Sequence, residues 1–411
     1  MFVGREEIGQ RSETVRRSNL SAIVRELHLR GSVSRSELVA RTGLTRSAIR
    51  ALVGDLVLGD LVVEEPAIRL GTPGRPSPSV RLVPESGVVL ALEITVDHLA
   101  VAFVGLGGVV LEELRVERRR GRASLEQIVD DLATLVAAAR SRRPPGEALI
   151  GAAVAMAGIV RRSDGLVASA PNLGWHDVPL GDRLAEALGL GVPIAVANDA
   201  DLGALAEARR GAARGADDLL FISGEVGVGG GIIVGGQPLG GIAGFAGEVG
   251  HMPINPAGAP CRCGSIGCWE TETGEGALLM RAGYPIDGGS AAVDQVLADA
   301  AAGNPRALAA IDEVGRWLGI GLAGLVNLLN SRLIVLGGIF GELYPHIAAR
   351  VETELDRRAL AAPRALVTVL PAALGLNAPL IGAAELAFEP LLADPAAWLG
   401  PRVALDQLAI A

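Results

Sequence analysis

The residues best suited to chemistry form a short cysteine cluster in the second half of the chain. Cys261, Cys263 and Cys268 are its only cysteines, and His251 lies ten residues before the first of them. They lie in a glycine-rich loop, which can bend these side chains around one ion. Three thiolates and one imidazole are typical ligands of a tetrahedral zinc ion, and four protein ligands leave no open position for water. The spacing therefore predicts structural zinc.

Reduced thiols and a disulfide are the two alternatives for these cysteines. An odd cysteine count and tight clustering fit neither well. A disulfide also needs an oxidising compartment. The N-terminus instead carries Arg5, Glu6 and Glu7 where a signal peptide has an apolar core, so the predicted location is the cytoplasm.

Length and composition indicate a globular protein with more than one domain. A chain of 411 residues predicts two or three domains, and 50% apolar with 20% charged residues excludes a disordered chain. The apolar stretch 87–111 is interrupted by Glu93, Asp97 and His98, so no membrane span is predicted. Residues 1–83 hold 13 Arg against 9 acidic residues, whereas residues 84–411 hold 24 Arg against 37. This basic head before an acidic body predicts that the head alone contacts nucleic acid.

The head begins with two predicted helices. Apolar residues at helical spacing predict a first helix over 18–30, with Ser18 or Asn19 as its N-cap. Ser34 and Glu37 then form a capping-box pattern, which opens a short second helix.

The third predicted helix is the candidate DNA-recognition helix. It follows Gly43, which can take the left-handed conformation that ends a helix. Its polar N-terminal end carries the candidate DNA contacts Thr45, Arg46, Ser47 and Arg50. Such an end suits the major groove, because a helix N-terminus favours phosphate and Arg can donate to two acceptors of guanine.

Two strands and a Gly/Pro turn complete the head. Segments 61–65 and 80–83 predict a wing, with Arg69 and Arg75 at its tip. Arg75 is a candidate for the minor groove, with an ordinary surface position as an equal alternative. The whole resembles a winged helix-turn-helix of the bacterial repressor type. The alternative is a small helical docking domain with a solvated arginine face, which the joint presence of helices, turn glycine and wing disfavours.

From about residue 87 the pattern changes to apolar strands alternating with helices, which predicts an α/β body of two related lobes with a cleft between them. Helices are predicted over 124–140, 305–330 and 379–395. Strands are predicted over 88–94, 99–104, 109–116, 148–154, 193–197, 218–223, 230–234 and 332–337.

Several motifs of the body resemble the ROK family of repressors, open reading frames and sugar kinases. They are G-F-A-G-E-V-G-H ending at His251, C-R-C-G-S-I-G-C-W-E ending at Glu270, A-P-N-L around Asn172, I-A-V-A-N-D-A around Asn198, the glycines at 227–231 and V-L-G-G ending at Gly338. The resemblance covers residues 87–395 and implies an actin-like, hexokinase-like fold behind the winged helix-turn-helix. The expected domains are the head (1–83), a first lobe (84–197, completed by helix 379–395) and a second lobe with the zinc loop (198–378).

The resemblance also implies a sugar site. Its residues would be Asn172, Asn198, Asp199, Glu248, His251 and Glu270. His251 would bind zinc through one ring nitrogen while the other faces the sugar. Carboxylates and amides suit a polyol because each hydroxyl both donates and accepts. As alternatives, Asp199 can cap the following helix, and Glu248 and Glu270 taken alone are ordinary solvated positions.

The phosphate loops depart from those of ROK kinases, in which Asp199 would be the general base. The kinase pattern D-x-G-x-T is replaced by E-I-T-V-D from Glu93 to Asp97, and G-T-G is replaced by Glu225-Val226-Gly227. A carboxylate about 4 Å from a phosphate oxygen is repelled by roughly 4 kcal/mol at an effective dielectric near 20. The chain is therefore expected to bind no ATP and to be no enzyme.

The sequence thus predicts a sugar-responsive transcriptional regulator, with repression as the expected mode. It would bind operator DNA through the head and a sugar or sugar derivative in the cleft. The alternative is a glucokinase-like, ATP-dependent sugar kinase with an accessory head. One winged domain contacts little DNA, so a homodimer or homotetramer on a palindromic operator is expected. The arginine run 115–122 has no assigned role. A solvated face is the usual interpretation of such a run, and a subunit contact is the alternative.

Overall fold

The computed structural model describes residues 5–66 and 77–399. The head contains helix α1 (Arg5–Arg30), strand β1 (Val33–Ser34), helices α2 (Arg35–Thr42) and α3 (Arg46–Leu58), and strands β2 (Val62–Glu65) and β3 (Ser79–Leu82). The three strands form an antiparallel sheet in the order β1-β3-β2. The predicted order of three helices and a wing is confirmed.

Side-chain caps set the ends of two helices in the head. The Glu37 amide donates to Ser34 Oγ at 3.2 Å, and the Ser34 amide donates to Glu37 Oε2 at 2.9 Å, which completes the predicted capping box. Helix α2 ends at Gly43, whose φ of +71° is left-handed. Thr45 then caps α3 by accepting from the Ala48 amide at 3.2 Å.

The predicted start of the first helix is wrong. Helix α1 begins at Arg5, so Ser18 and Asn19 lie inside the helix rather than at its cap. Helical side-chain pairs occur before Ser18, since Arg17 Nε lies 3.3 Å from Glu13 Oε1 one turn earlier. The predicted apolar stripe is buried: Leu20, Ile23, Val24 and Leu27.

The first lobe contains, in chain order, strands β4 (Val88–Ile94), β5 (His98–Gly105) and β6 (Val109–Glu117), helix α4 (Leu125–Arg140), strands β7 (Leu149–Met156), β8 (Ile159–Arg161), β9 (Leu166–Ala170) and β10 (Trp175–Val178), helix α5 (Leu180–Leu188) and strand β11 (Ile194–Asn198). One five-stranded sheet has the order β11-β7-β4-β5-β6, and a smaller sheet has the order β10-β9-β8. Helices α4 and α5 pack on one face of the larger sheet.

The second lobe continues with helix α6 (Asp199–Arg210), strands β12 (Leu219–Gly224), β13 (Val228–Val234) and β14 (Gln237–Pro238), helices α7 (Trp269–Thr273), α8 (Glu275–Ala282), α9 (Gly289–Ala301) and α10 (Pro305–Leu329), strand β15 (Leu333–Gly338), helices α11 (Ile339–Arg358) and α12 (Ala361–Arg364) and strand β16 (Thr368–Pro371). The sheet order is β14-β13-β12-β15-β16. Each lobe is therefore built on a five-stranded sheet covered by helices.

Helix α13 (Ala378–Ala393) returns to the sheet of the first lobe, as predicted. Residues Val89 and Ala91 of β4 face α13, whereas Leu90 and Leu92 face α4, so this strand is buried on both sides. Helices α13 and α6 pack closely, because Gly382 of α13 lies against the backbone of α6 where a Cβ would collide. Among the described helices, none is long and apolar enough to cross a membrane.

A buried ionic network joins the head to the body at the end of α1. His28 and Glu385 are 0% and 1% exposed. The Gly107 amide donates to His28 Nδ1 at 3.0 Å, which leaves Nε2 to donate to Glu385 at 3.3 Å. Arg209 and Arg210 of α6 donate to the same carboxylate. Burial opposes ionisation of Glu385, but the bond from His28 and the charges of the arginines outweigh it and lower its pKa to about 2.

We expect Glu385→Ala to destabilise the protein strongly, because it leaves His28 and Arg210 without their anion in a buried site and removes one of the two carboxylates that Arg209 contacts. Removing one partner of a buried ion pair costs about 3–5 kcal/mol. Urea unfolding followed by circular dichroism at pH 7 measures the loss. Glu186→Ala, which breaks the ion pair with Arg183 on the surface, is the control and should cost about 0–1 kcal/mol. Equal stability of the two variants would contradict the role of Glu385.

Candidate functional site

The cysteine cluster lies in the loop between β14 and α7 of the second lobe. One ligand atom from each of four residues lies within 4.8 Å of the others: His251, Cys261, Cys263 and Cys268. A β-bridge between Pro253 and Cys268 folds the loop back on itself. This fold brings the histidine beside cysteines that follow it by ten residues or more.

Distances within the cluster match a tetrahedral site. The Sγ atoms of Cys263 and Cys268 are 3.7 Å apart, and Cys261 Sγ is 3.7 Å from His251 Nδ1. Metal–sulfur bonds of about 2.3 Å place neighbouring tetrahedral ligands about 3.8 Å apart. A disulfide needs a sulfur–sulfur distance of about 2.05 Å, so these are free thiols. The donor set could hold one metal ion.

Three of the predicted sugar ligands lie together beside this cluster. His251 turns Nδ1 toward the cysteines and Nε2 toward Glu248, whose Oε2 is 4.0 Å away. Glu270 Oε1 is 2.9 Å from Cys261 Sγ and 3.7 Å from His251 Nδ1. The two ring nitrogens of His251 thus face different side chains. Their contact with a sugar stays a prediction.

Asn198 and Asp199 lie at the start of α6. Asn198 Oδ1 accepts from the Ala200 amide at 2.9 Å and from the Asp201 amide at 3.1 Å, while its Nδ2 donates to Gly158 O at 3.0 Å. The helix cap is therefore Asn198, and the alternative that assigned capping to Asp199 is wrong. An Asn side chain one residue before the helix reaches the first free amides, whereas Asp199 is already its first residue.

Asn172 is joined to the cysteine loop by a residue that the sequence did not single out. Arg262 Nη1 donates to Asn172 Oδ1 at 2.6 Å. Arg262 stands between Cys261 and Cys263, so this bond links the loop to the first lobe. The sequence could have indicated Arg262 by its position inside the C-x-C motif, because it stands between two predicted metal ligands whose binding would restrict its direction.

Acidic residues of both lobes share the cleft. Burial, followed by the charges of Glu93 and Glu248, raises the pKa of Asp199 to about 7. Burial also raises the pKa of Asp201 to about 7, although the charge of Arg162 opposes it. These carboxyl groups hold protons more tightly than free aspartates do, so they can donate as well as accept hydrogen bonds near neutral pH.

Two acids of the first predicted phosphate loop are paired with arginines. Glu93 is buried, and its Oε2 lies 3.6 Å from Arg115 Nη2. Asp97 accepts from Arg120 Nε at 2.5 Å and from Nη2 at 2.7 Å. The repulsion of phosphate by these acids stays a prediction, and the arginine beside each acid reduces it. The case against a bound triphosphate then depends on the side chains that occupy the loop from Glu93 to Asp97.

The arginine run 115–122 supplies these cations. Arg118 Nη1 donates to the carbonyl groups of Thr95 and Val96 at 3.2 and 3.5 Å. Arg115, Arg118 and Arg120 are only partly exposed, so a solvated face is the wrong interpretation for these three. The signal in the sequence was the loop from Glu93 to Asp97, since acids in a partly buried loop need nearby cations.

The predicted DNA contacts lie at one exposed end of the head. Four residues at the start of α3 are exposed: Thr45, Arg46, Ser47 and Arg50. The opposite face of α3, which includes Ile49 and Leu52, is buried in the core of the head. Arg75 and the rest of the wing tip at 67–76 lie outside the described residues, so its contact with the minor groove stays a prediction.

We expect Asp199→Asn to stabilise the protein more at pH 8.5 than at pH 5.5. The pKa of Asp199 is raised from 3.8 to about 7 in the folded protein, so the stability from its bound proton is lost as the pH rises through that range. Asn cannot ionise, yet its side-chain oxygen can still accept from the Ala200 amide, as Asp199 Oδ1 does at 2.8 Å. Urea unfolding at both pH values measures the difference from the wild type. The exposed Asp182→Asn is the control, and an Asp199→Asn effect that is equal at both pH values would sink this assignment.

Comparison with known proteins identifies the family. Residues 89–389 match the ROK family. The chain is 27% identical over 381 residues to the xylose repressor of Bacillus subtilis (strain 168), and the alignment covers 92% of this chain and 97% of the repressor.

Two solved structures share the fold. A ROK family transcriptional regulator, a homologue of the Escherichia coli Mlc protein, superposes with a TM-score of 0.74 at 24% identity and covers 95% of this chain and 98% of its own. A ROK family glucokinase from Streptomyces griseus, in complex with glucose and AMPPNP, has a TM-score of 0.65 at 31% identity and covers 73% of this chain and 99% of its own. With its winged helix-turn-helix head and two-lobed body, the chain belongs to the ROK family.

Proposed function

We propose that this protein is a sugar-responsive transcriptional repressor, which binds operator DNA through its head and a sugar or sugar derivative in its cleft without phosphorylating it. The extent of the match to the xylose repressor carries the proposal. An alignment over 92% of the chain must enter the head, because residues 84–411 number only 328 of 411. The glucokinase match covers 73% of the chain.

The start of α3 supports the DNA-binding half of the proposal. Thr45, Arg46, Ser47 and Arg50 present hydroxyl and guanidinium donors to solvent, and Arg75 of the wing is the further proposed contact. Guanidinium groups recognise both guanine and phosphate. Because one winged domain covers few base pairs, we propose a homodimer or homotetramer that binds a palindromic operator.

The cleft supports the sugar-binding half. The proposed ligands are Asn172, Asn198, Asp199, Glu248, His251 and Glu270. Several of them are held by the protein before any sugar arrives: Asn172 by Arg262, Asn198 by the α6 amides and Glu270 beside Cys261. Fixed donors and acceptors select a polyol by the positions of its hydroxyl groups, since a mismatch leaves buried polar groups unpaired. Xylose and glucose, named with the relatives, are the first sugars to test.

We further propose that His251, Cys261, Cys263 and Cys268 hold a structural zinc ion. Four protein ligands complete a tetrahedral site and leave no position for a reacting water. When bound, the ion would fix the loop that carries Arg262 and lies against Glu270. Its role is then to keep the sugar-facing side of this loop in place.

A glucokinase-like kinase is the second candidate, favoured by the 31% identity to the glucokinase that holds glucose and AMPPNP. Asp199, with a pKa of about 7, has the proton affinity of a general base. Against it stand Thr95 and Asp97 in the first loop and Glu225 in the second. Thr95 Oγ1 accepts from the Asp97 and His98 amides. These two amides are therefore bonded within the turn and are not free to donate to a phosphate.

Fluorescence anisotropy with labelled DNA from upstream of the gene tests the function. We expect the full chain to bind this DNA, D-xylose or D-glucose to change the affinity, and Arg50→Ala to weaken binding about tenfold or more, because one good base contact contributes about 1–3 kcal/mol. Arg332→Ala removes an exposed arginine from the body and is the charge-matched control. Parallel assays with Mg-ATP detect a kinase. DNA binding indifferent to every sugar, with sugar phosphate formed from ATP, would favour the second candidate.

We expect Cys263→Ser, or removal of metal with a chelator, to lower sugar affinity and stability together. Loss of one thiolate leaves the loop without a complete ligand set, and the bond from Arg262 to Asn172 loses its support. Bound zinc, the thermal unfolding midpoint and sugar titration are the measurements. Ile266→Ala, which changes an exposed side chain of the same loop outside the ligand set, serves as the control. Undiminished sugar binding by metal-free protein would refute the proposed role of zinc.

A further inference from the structure

The guanidinium of Arg120 lies between the two lobes. Its Nε and Nη2 donate to the two carboxylate oxygens of Asp97 at 2.5 and 2.7 Å. Its Nη1 and Nη2 donate to the two carboxylate oxygens of Glu275 at 2.5 and 2.8 Å. One planar cation thus forms two bidentate ion pairs, the geometry for which guanidinium is suited and ammonium is not.

The two carboxylates belong to different lobes. Asp97 lies in the turn between β4 and β5 of the first lobe. Glu275 is the first residue of α8 in the second lobe, its side chain is 5% exposed, and its amide donates to Glu225 O at 3.1 Å. Arg120 therefore connects the β4–β5 turn of the first lobe to the start of α8 in the second. The start of α8 is in turn bonded to Glu225, the residue that follows β12.

A positive charge is needed between the lobes here because acidic residues of both lobes lie close to Glu225. Burial raises the pKa of Glu225, and the charges of Asp199, Glu93, Asp97 and Glu275 raise it further. Carboxylates that feel one another in this way repel when no cation stands between them. A guanidinium held by one carboxylate from each lobe converts that repulsion into attraction.

Away from the cleft, α6 of the second lobe packs on α13, which completes the first lobe, and Arg209 and Arg210 pair with Glu385. Inside the cleft, Arg262 donates to the amide oxygen of Asn172, and the backbone amide of Arg162 donates to Ala243 O at 3.1 Å. Neither cleft contact compensates the acids around Glu225. Arg120 thus adds two ion pairs to the single hydrogen bonds that join the lobes in the cleft.

We propose that Arg120 is a positioning residue for the sugar cleft: it bridges the lobes and sets their separation. The proposed sugar ligands come from both sides, with Asn172 in the first lobe and Glu248 and His251 in the second, so one sugar can contact all of them only at a fixed lobe separation. This inference rests on the proposed function for its sugar-binding consequence, but the bridge itself does not. Arg120 acts through lobe geometry and touches no sugar.

The test compares Arg120→Gln and Arg120→Lys with Arg119→Gln, an exposed neighbour that carries the same charge change. Calorimetric titration with D-xylose and D-glucose gives sugar affinity, and hydrogen exchange of the full chain reports on 95–97 and 275–282. For Arg120→Gln we expect at least tenfold weaker sugar binding and at least tenfold faster exchange in both segments. Lys keeps the charge but not the paired bonds, so its effects should be intermediate.

Glu275→Gln supplies a second route to the same bond. It removes only the ion pair with the second lobe, so it should also speed exchange in both segments, and the double variant should lose no more than Arg120→Gln, because that variant already lacks the bond to Glu275. Additive losses would contradict the bridge. So would unchanged exchange and unchanged sugar affinity in folded Arg120→Gln, even with a lower unfolding midpoint.

The two proposals fail in different ways. If neither sugar binds the wild-type chain, the sugar assignment under the proposed function is not supported, and hydrogen exchange alone decides the bridge. Faster exchange in both segments then supports an interlobe bridge, whereas exchange equal to the wild type overturns it.

Discussion

Paired charges between carboxylates and guanidinium groups give the cleft its form. Glu93 lies beside Arg115, and Asp97 and Glu275 share Arg120, so the acids nearest the meeting point of the lobes are compensated. Acids beyond the reach of an arginine behave differently, as the raised pKa of Asp199 shows. Compensated acids hold the lobes together, and the others include the proposed hydrogen-bonding partners of a sugar.

Helix α6 connects this cleft to the head. It begins at the cap Asn198 beside the cleft and ends with Arg209 and Arg210, which contact the buried pair of His28 and Glu385. The close packing of α13 on α6 at Gly382 keeps the helix from moving independently. Helix α6 thus contacts the cleft at one end and the head at the other, which makes it the structural connection between the two.

Local chemistry in the sequence was enough to predict much of this architecture. The capping box of α2, the Thr45 cap and the clustering of the cysteines depend on residues within about one loop of one another, and the structure confirms each. The eight predicted strands of the body are also present, but the short strands β8, β9, β10, β14 and β16 were not predicted. The start of α1 was missed because Ser18 and Asn19 are good caps by type, yet the helix continues through them. The choice between Asn198 and Asp199 failed because one residue of register decides a cap, and sequence patterns rarely fix a boundary that closely.

Long-range pairing could not be predicted in the same way. The acids at 93–97 and the arginines at 115–122 are far apart in the chain, and strands β5 and β6 bring them together. Arg120 and Glu275 are separated by 155 positions. No periodicity links such residues, so from the sequence alone the acids are expected to repel as free charges, and only the fold shows the arginines beside them. The partnership of Arg262 with Asn172 was hidden for the same reason.

The central claim is that this cleft binds a sugar as a signal and performs no phosphoryl transfer. Phosphorus NMR of the zinc-loaded chain, incubated with Mg-ATP and either D-xylose or D-glucose under conditions where calorimetry shows sugar bound, tests it most directly. We expect the ATP resonances to persist and no sugar phosphoester to appear. Steady formation of a sugar phosphate with matching loss of ATP would contradict it.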